Sequence, residues 1–274
     1  MKTIRQEVFG KATLRIVETA EGLRGIILRE GTKSDPIEGE DEASLWTRLM
    51  NEAGKSHPDY FGWSGAVARF KRLFPGGFES EEFDMHERDY KDTARRMILS
   101  ELPLEAALLG EADIEAALRA FRATNLLSPF EKVRLQDLFR GEQGAKFLQG
   151  AAQFTRGDRT QGLARMKQAA EPHDVGKWTT YTYLPYFWNP ETEIFLKPEV
   201  SKDFATRVGH PFQTIYSAQA DIAVYNSLLD LGKHAWTELA DLQPRDNIDI
   251  QSFIWVVGAY KETDASELSM DGGA

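Results

Sequence analysis

Glu82, His86 and Asp89 stand at spacings of four and three on what reads as one helix. Residues so spaced share a helical face. Two carboxylates and an imidazole on one face make a ligand set for a divalent metal. A metal held there would activate water, and the chemistry would be metal-assisted hydrolysis. The plainer reading is a solvated helix flank, where such residues gather without any metal. A complete coordination shell needs ligands from elsewhere, and His173-Asp174 is the best source of them. His57, His210 and His234 fall in no recognisable motif; each becomes a general base only if folding brings a carboxylate beside it.

A second set of residues suits anions. Between Lys55 and Phe78, the basic residues Lys55, His57, Arg69, Lys71 and Arg72 interleave with Tyr60, Phe61, Trp63, Phe70 and Phe74. Cations among aromatic rings combine phosphate contact with base stacking. Further on, Trp178, Tyr181, Tyr183, Tyr186, Phe187, Trp188 and Phe195 crowd a stretch where 11% aromatic composition places about two rings. Lys177 and Lys197 bracket that stretch. If the two segments meet, they form a positive, ring-lined cleft whose anion- or nucleic-acid-binding residues are Lys55, Tyr60, Trp63, Arg69, Arg72, Lys177, Trp178 and Lys197. Arg69 and Arg72, three apart, are expected to project together. The plainer reading puts the rings in the core and the cations on its rim.

Two near misses carry less. Gly54-Lys55-Ser56 has the tail of a phosphate-binding loop, but the glycine required five positions earlier is Leu49, and the approach reads as helix. Gly62-Trp63-Ser64-Gly65-Ala66 approximates a nucleophile elbow with its last glycine one position early. Ser64 reads better as a helix cap.

The chain of 274 residues carries a net charge of −10, with 42% hydrophobic and 28% charged residues. That is an ordinary globular balance. A protein built to coat nucleic acid or an anionic membrane would carry a basic surplus, so any such contact must be local. There is no cysteine, which excludes disulfides, thiol catalysis and cysteine-ligated metals and suits a reducing compartment. No apolar leader and no membrane-length apolar run is visible. The expectation is a cytoplasmic protein.

These residues need elements to position them. Ala12, Leu14 and Ile16 alternate with polar neighbours, Ala20-Glu21-Gly22 turns, and Leu23 to Leu28 returns: an N-terminal β-hairpin. A short strand is expected at Ile37. Asp41 caps a helix from Glu42 to about Ala53, and Gly65 to Phe74 forms another, stopped by Pro75-Gly76-Gly77. Ser80 caps the helix that carries Glu82. Ile114 to Phe121, a helix opened by the capping box Ser128-Pro129-Phe130-Glu131, Glu142 to Phe154 and Arg159 to Ala170 follow. Thr179 to Tyr183 and Glu193 to Lys197 pattern as a short hairpin around Asn189-Pro190. Ser201 to Val208 reads as a helix. Ser217 caps a long amphipathic helix to Leu239, and Asp246 caps a final, buried one. The spans expected are 1–78, hairpin plus short helices; 79–262, a helical body; and 263–274, a disordered tail. All are compatible with one domain.

Several stretches resemble ones found together in uncharacterised bacterial proteins. They are Tyr60-Phe61-Gly62 with Ser64-Gly65-Ala66, Arg69-Phe70 with Phe74 to Phe78, and Ala123 to Glu131. Phe195 to Glu199, Arg245-Asp246 and Ile248 to Trp255 complete the set. The resemblance covers most of the chain and implies no activity, cofactor or catalytic residue.

Together these readings give an α+β fold dominated by helices. The function read from them is non-catalytic binding or assembly. Its cleft recognises an anionic partner, with nucleic acid as one form of it and a protein partner compatible with assembly. It needs no cofactor. The alternative is the metal-assisted hydrolase of Glu82, His86 and Asp89, with a divalent metal as its cofactor.

Overall fold

The computed structural model of the protein describes residues 1–9, 11–29, 31–54 and 61–260. Lys55, Tyr60 and the expected tail at 263–274 lie outside these residues. Among the described residues, no helix is long and apolar enough to cross a membrane.

β1 (Lys2–Phe9), β2 (Ala12–Thr19) and β3 (Gly22–Arg29) form an antiparallel meander. β4 (Thr32–Lys33) and β5 (Ile37–Gly39) both pair with β3. The expected hairpin is β2 and β3, and the expected strand at Ile37 is β5. β1 went unread because it is an exposed edge strand whose composition shows no apolar alternation. Ala12, Leu14 and Ile16 turn one face inward, with Leu14 opposite Ile27 and Ile16 opposite Gly25. α1 (Glu42–Gly54) lays Leu45, Trp46, Leu49 and Met50 on that face. Gly25 is required there, since a Cβ would sit 2.6 Å from a Leu49 methyl.

α2 (Gly62–Leu73) leads out of this layer. Phe61 belongs to the sheet-side core, while Trp63, Ala66 and Phe70 belong to the helical one. The change of core therefore falls at 61–63. Ser64 is not the cap of α2: the helix starts from Phe61, and the Ser64 N–H donates to Asn51 of α1.

The helical body begins after a 3₁₀ turn (Gly77–Glu79). α3 (Glu81–Phe83), capped by Ser80, runs through a π-helical segment (Asp84–Arg88) into α4 (Asp89–Glu101). α5 (Leu104–Leu109), α6 (Ile114–Arg122), α7 (Pro129–Arg140), α8 (Gly144–Thr155) and α9 (Arg159–Ala170) follow. Then come α10 (Trp178–Trp188), α11 (Pro198–Val208), α12 (Phe212–Ile215), α13 (Ile222–Glu238) and α14 (Asn247–Ala259). The chain is α+β and mostly helical.

Two local expectations are corrected. The aromatic segment is the helix α10, not a hairpin strand, and every one of its residues is buried. A segment buried on all sides must satisfy its backbone internally, and a helix does so where a lone strand cannot. Pro185 is tolerated in its last turn. The extended segment 193–197 finds side-chain partners instead of a strand: Ile194 N–H donates to the Tyr225 hydroxyl and Leu196 N–H to Thr182 Oγ1. The cap of α13 is Asp221, not Ser217. The Ser217 hydroxyl closes a tight turn by accepting from Gln219 N–H, so the helix begins later.

Candidate functional site: a cation-lined cavity

A cavity of about 200 Å³ opens where the π-helical segment, α4, the loop after α6, the start of α11 and α14 converge. His86 and Glu87 come from the π-helical segment, Tyr90 and Lys91 from α4, and Asn125 and Leu126 from the loop. Lys197 precedes α11, Gln251 and Trp255 lie on α14, and Tyr260 follows it. Three of the stretches that carry the resemblance, 123–131, 195–199 and 248–255, each supply part of this lining.

The π-helical segment is what brings two consecutive charged residues inward. One extra residue in the turn rotates the register, and both Glu87 and Arg88 are buried. Lys91 follows at i+4 from Glu87 and is 1% exposed. Its Nζ donates to Glu87 Oε2 at 2.9 Å and bonds Ser252 Oγ at 2.7 Å. The Tyr260 hydroxyl donates to the other Glu87 oxygen at 2.7 Å. Behind this triad, Arg88 makes a two-pronged bond to Asp246 at 2.7 and 2.8 Å and also reaches Asp249 at 3.0 Å. Arg245 pairs with Asp249 and Asp84. The buried charges of the wall thus have opposite partners, as burial demands.

Lys197 is different. Its Nζ donates to the Leu126 carbonyl at 2.9 Å and lies 5.9 Å from the Trp255 ring centroid. Among the described residues no carboxylate pairs with it. Since Lys91 and Glu87 cancel, the cavity keeps an uncompensated cation inside an acidic protein. Burial pushes the Lys91 amine below the usual lysine range, against the opposing pull of Glu87. Burial, and then the Glu87 charge, pushes the Tyr90 phenol far up, so it stays a hydrogen-bond donor. The Asn125 and Gln251 amides add donors and acceptors.

Of the residues expected in a basic–aromatic cleft, Lys197 lines this cavity. Trp63 and Trp178 are core rings: Trp63 packs edge-on against Phe204, and Trp178 donates its Nε1–H to the Ser217 carbonyl. Lys177 is exposed at the start of α10. Arg69 and Arg72 do not project together. Arg69 is buried and donates to the Val257 and Tyr260 carbonyls, closing the end of α14, while Arg72 is exposed. A guanidinium satisfies helix-end carbonyls well, and that is the use Arg69 has here. It does fix Tyr260, whose ring borders the cavity.

Of the residues expected as metal ligands, His86 borders the cavity, whereas Glu82 and Asp89 are exposed. The π-helical segment lies between them and breaks the α-helical spacing that would align them. Among the described residues, the three ligand groups that do gather, within 4.8 Å, are His210, Asp230 and His234. His210 Nε2 lies 3.1 Å from Asp230 Oδ2, and His210 Nδ1 accepts the Phe212 N–H at 3.2 Å. Nδ1 therefore holds the lone pair and Nε2 the proton. A metal-binding histidine has the opposite arrangement, donating from its free nitrogen. This cluster suits a neutral histidine hydrogen-bonded to Asp230 better than a metal.

Sequence reading missed Glu87, Lys91, Gln251 and Ser252. The available signal was polar residues in a helix that is otherwise apolar all round: Asp249, Gln251 and Ser252 sit inside α14. Buried polar groups need partners, and here those partners are Arg88 for Asp249, the Tyr186 hydroxyl for Gln251 and Lys91 for Ser252. Ser252 is fully buried behind Lys91 and does not line the cavity, so its hydroxyl is not placed as a nucleophile. No family model, curated protein or solved structure matches the chain, and the roles of these residues rest on their geometry.

Proposed function

We propose that this chain is a non-catalytic binding protein whose cavity takes a small anionic group, a carboxylate or a phosphate. The observation that carries this reading is Lys197, a half-buried cation with no carboxylate partner, set beside Trp255 and the amides of Asn125 and Gln251. Its setting favours an anion, because an amine in a partly dehydrated site interacts more strongly than one in open water. Size narrows the ligand. At roughly 30 Å³ per water the cavity holds about seven waters, so it admits an anionic group and a few attached atoms. A nucleic acid partner would place a terminal phosphate against Lys197. A chain without cysteine suits the reducing cytoplasm, where we place it.

Calorimetric titration with inorganic phosphate and with acetate tests the reading. Binding is expected at low salt and should weaken as salt screens the mouth of the site. Lys197→Ala should weaken it at least tenfold while leaving the melting temperature nearly unchanged. Absence of binding by the wild-type protein at low salt, or equal binding by the variant, defeats the reading.

A further inference from the structure

Lys91 is the one lysine among the described residues that is buried, and it is also part of the cavity lining. Arg88, buried in the same wall, does not line the cavity, whereas Lys91 does. Beyond Cε, Nζ has three positions. Glu87 and Ser252 occupy two of them; the third has no hydrogen-bond partner among the described residues, and the Tyr90 ring of the cavity wall lies 5.2 Å from Nζ. An amine so placed, with a carboxylate to take its proton, is the arrangement of a nucleophilic lysine.

We propose that Lys91 condenses with the carbonyl of a small oxo-carboxylate held in this cavity, forming a reversible imine. The proposal rests on the anion reading above, with Lys197 holding the ligand's carboxylate. The ammonium first passes a proton to Glu87, whose second oxygen is already bound by the Tyr260 hydroxyl. The amine lone pair attacks the carbonyl carbon. A C–N bond forms, the C=O π pair moves to oxygen, and Glu87 returns the proton to that oxygen. A second proton leaves nitrogen for the same oxygen through Glu87. The C–O bond then breaks, water departs, and nitrogen closes the C=N bond. Of three ammonium protons, two leave in the water and one stays on the iminium nitrogen. No oxidant, reductant or metal is consumed, and the product cation keeps Glu87 as its counter-ion. Burial supports the step by pushing the amine below the usual lysine range.

Reductive trapping tests this on the wild-type chain. The protein is incubated with pyruvate or glyoxylate and cyanoborohydride, then digested and mapped by mass spectrometry. One adduct per chain is expected, on Lys91. It should be suppressed by excess acetate, and acetone, which has a carbonyl but no carboxylate, should label Lys91 far less. Lys91→Met should abolish the adduct. Because that variant strands Glu87, the map of the wild-type protein decides even if the variant fails to fold. Labels spread over exposed lysines, with Lys91 unmodified, overturn the proposal. Acetate binding that is lost in Lys197→Ala, together with an unlabelled Lys91, overturns the imine alone and leaves the anion site standing. No acetate binding and no adduct overturn both.

Discussion

Lys91 and Glu87 form a buried ion pair. Neither would be stable in the wall alone. Removing one partner leaves an uncompensated buried charge, so Lys91→Met or Glu87→Leu should each cost about 3–5 kcal/mol. The double substitution should recover much of that loss, because apolar groups of similar volume replace a pair whose desolvation largely offset its attraction. Urea denaturation of the three variants measures it; additive losses would show that the two residues act independently. His210 makes a different residue-scale prediction. Burial holds its imidazole below the ordinary value of 6.5, outweighing the opposing pull of Asp230. The unfolded chain then binds a proton more readily than the folded one. The contribution is therefore present above pH 6.5 and is lost as pH falls through the lower folded value. Protonation would also set two donors, Nδ1–H and Phe212 N–H, against each other. Thermal melts of wild type and His210→Asn between pH 7.5 and 5 should converge as the pH drops (roughly the range a histidine titrates in). A constant difference across that range would remove His210 from the account.

At the scale of elements, caps decide where helices begin, and they are readable with uneven success. The capping box at Ser128 is present in full: its hydroxyl accepts from Glu131 N–H, and Glu131 accepts from Ser128 N–H. Both signals sit within four residues of sequence, so nothing distant is needed to see them. Ser217 and Asp221 are both good cap residues lying just ahead of one apolar stripe. The choice went to Asp221 because Trp178, from α10, takes the Ser217 carbonyl and holds that stretch outside the helix. Ser128→Ala and Asp221→Ala should each lose about 0.5–2 kcal/mol. Ser217→Ala should lose less, since its carbonyl contact survives the substitution. Denaturant midpoints of the three variants check the order, and a larger loss at Ser217 would refute the assignment. α10 is the same lesson at greater depth. Its Thr and Tyr residues favour strands locally, yet burial on every side selects the element that closes its own hydrogen bonds.

At the scale of the molecule, two apolar cores meet at the start of α2. Leu49 belongs to the core between sheet and α1, Leu228 to the helical core, and both are fully buried. α2 touches both layers, and Gly54 of α1 sits so close that a Cβ would overlap the Phe61 carbonyl. Such tight apposition couples the layers. Leu49→Ala and Leu228→Ala should each cost about 2–5 kcal/mol, and in both variants near-ultraviolet and far-ultraviolet signals should melt together. Separate transitions in Leu49→Ala would mean that the sheet layer unfolds on its own.

The sequence by itself determined what depends on near neighbours. Apolar alternation gave the strands β2 and β3, and helical periodicity with local caps gave α1, α7, α9 and α14. The α+β class follows from these. It also held the cation Lys197 that borders the cavity. What it did not contain was the cavity. Glu87 and Ser252 are 165 positions apart, and only folding sets both against Lys91. Tertiary structure likewise assigned Trp63 and Trp178 to the core and turned Arg69 onto the end of α14. It broke the Glu82–His86–Asp89 face with a π-helical turn. The physical reason is common to all of these. Periodicity reports which side of an element avoids water. Which polar group faces which is settled by burial, where every donor and charge must find a partner from whatever element packs against it.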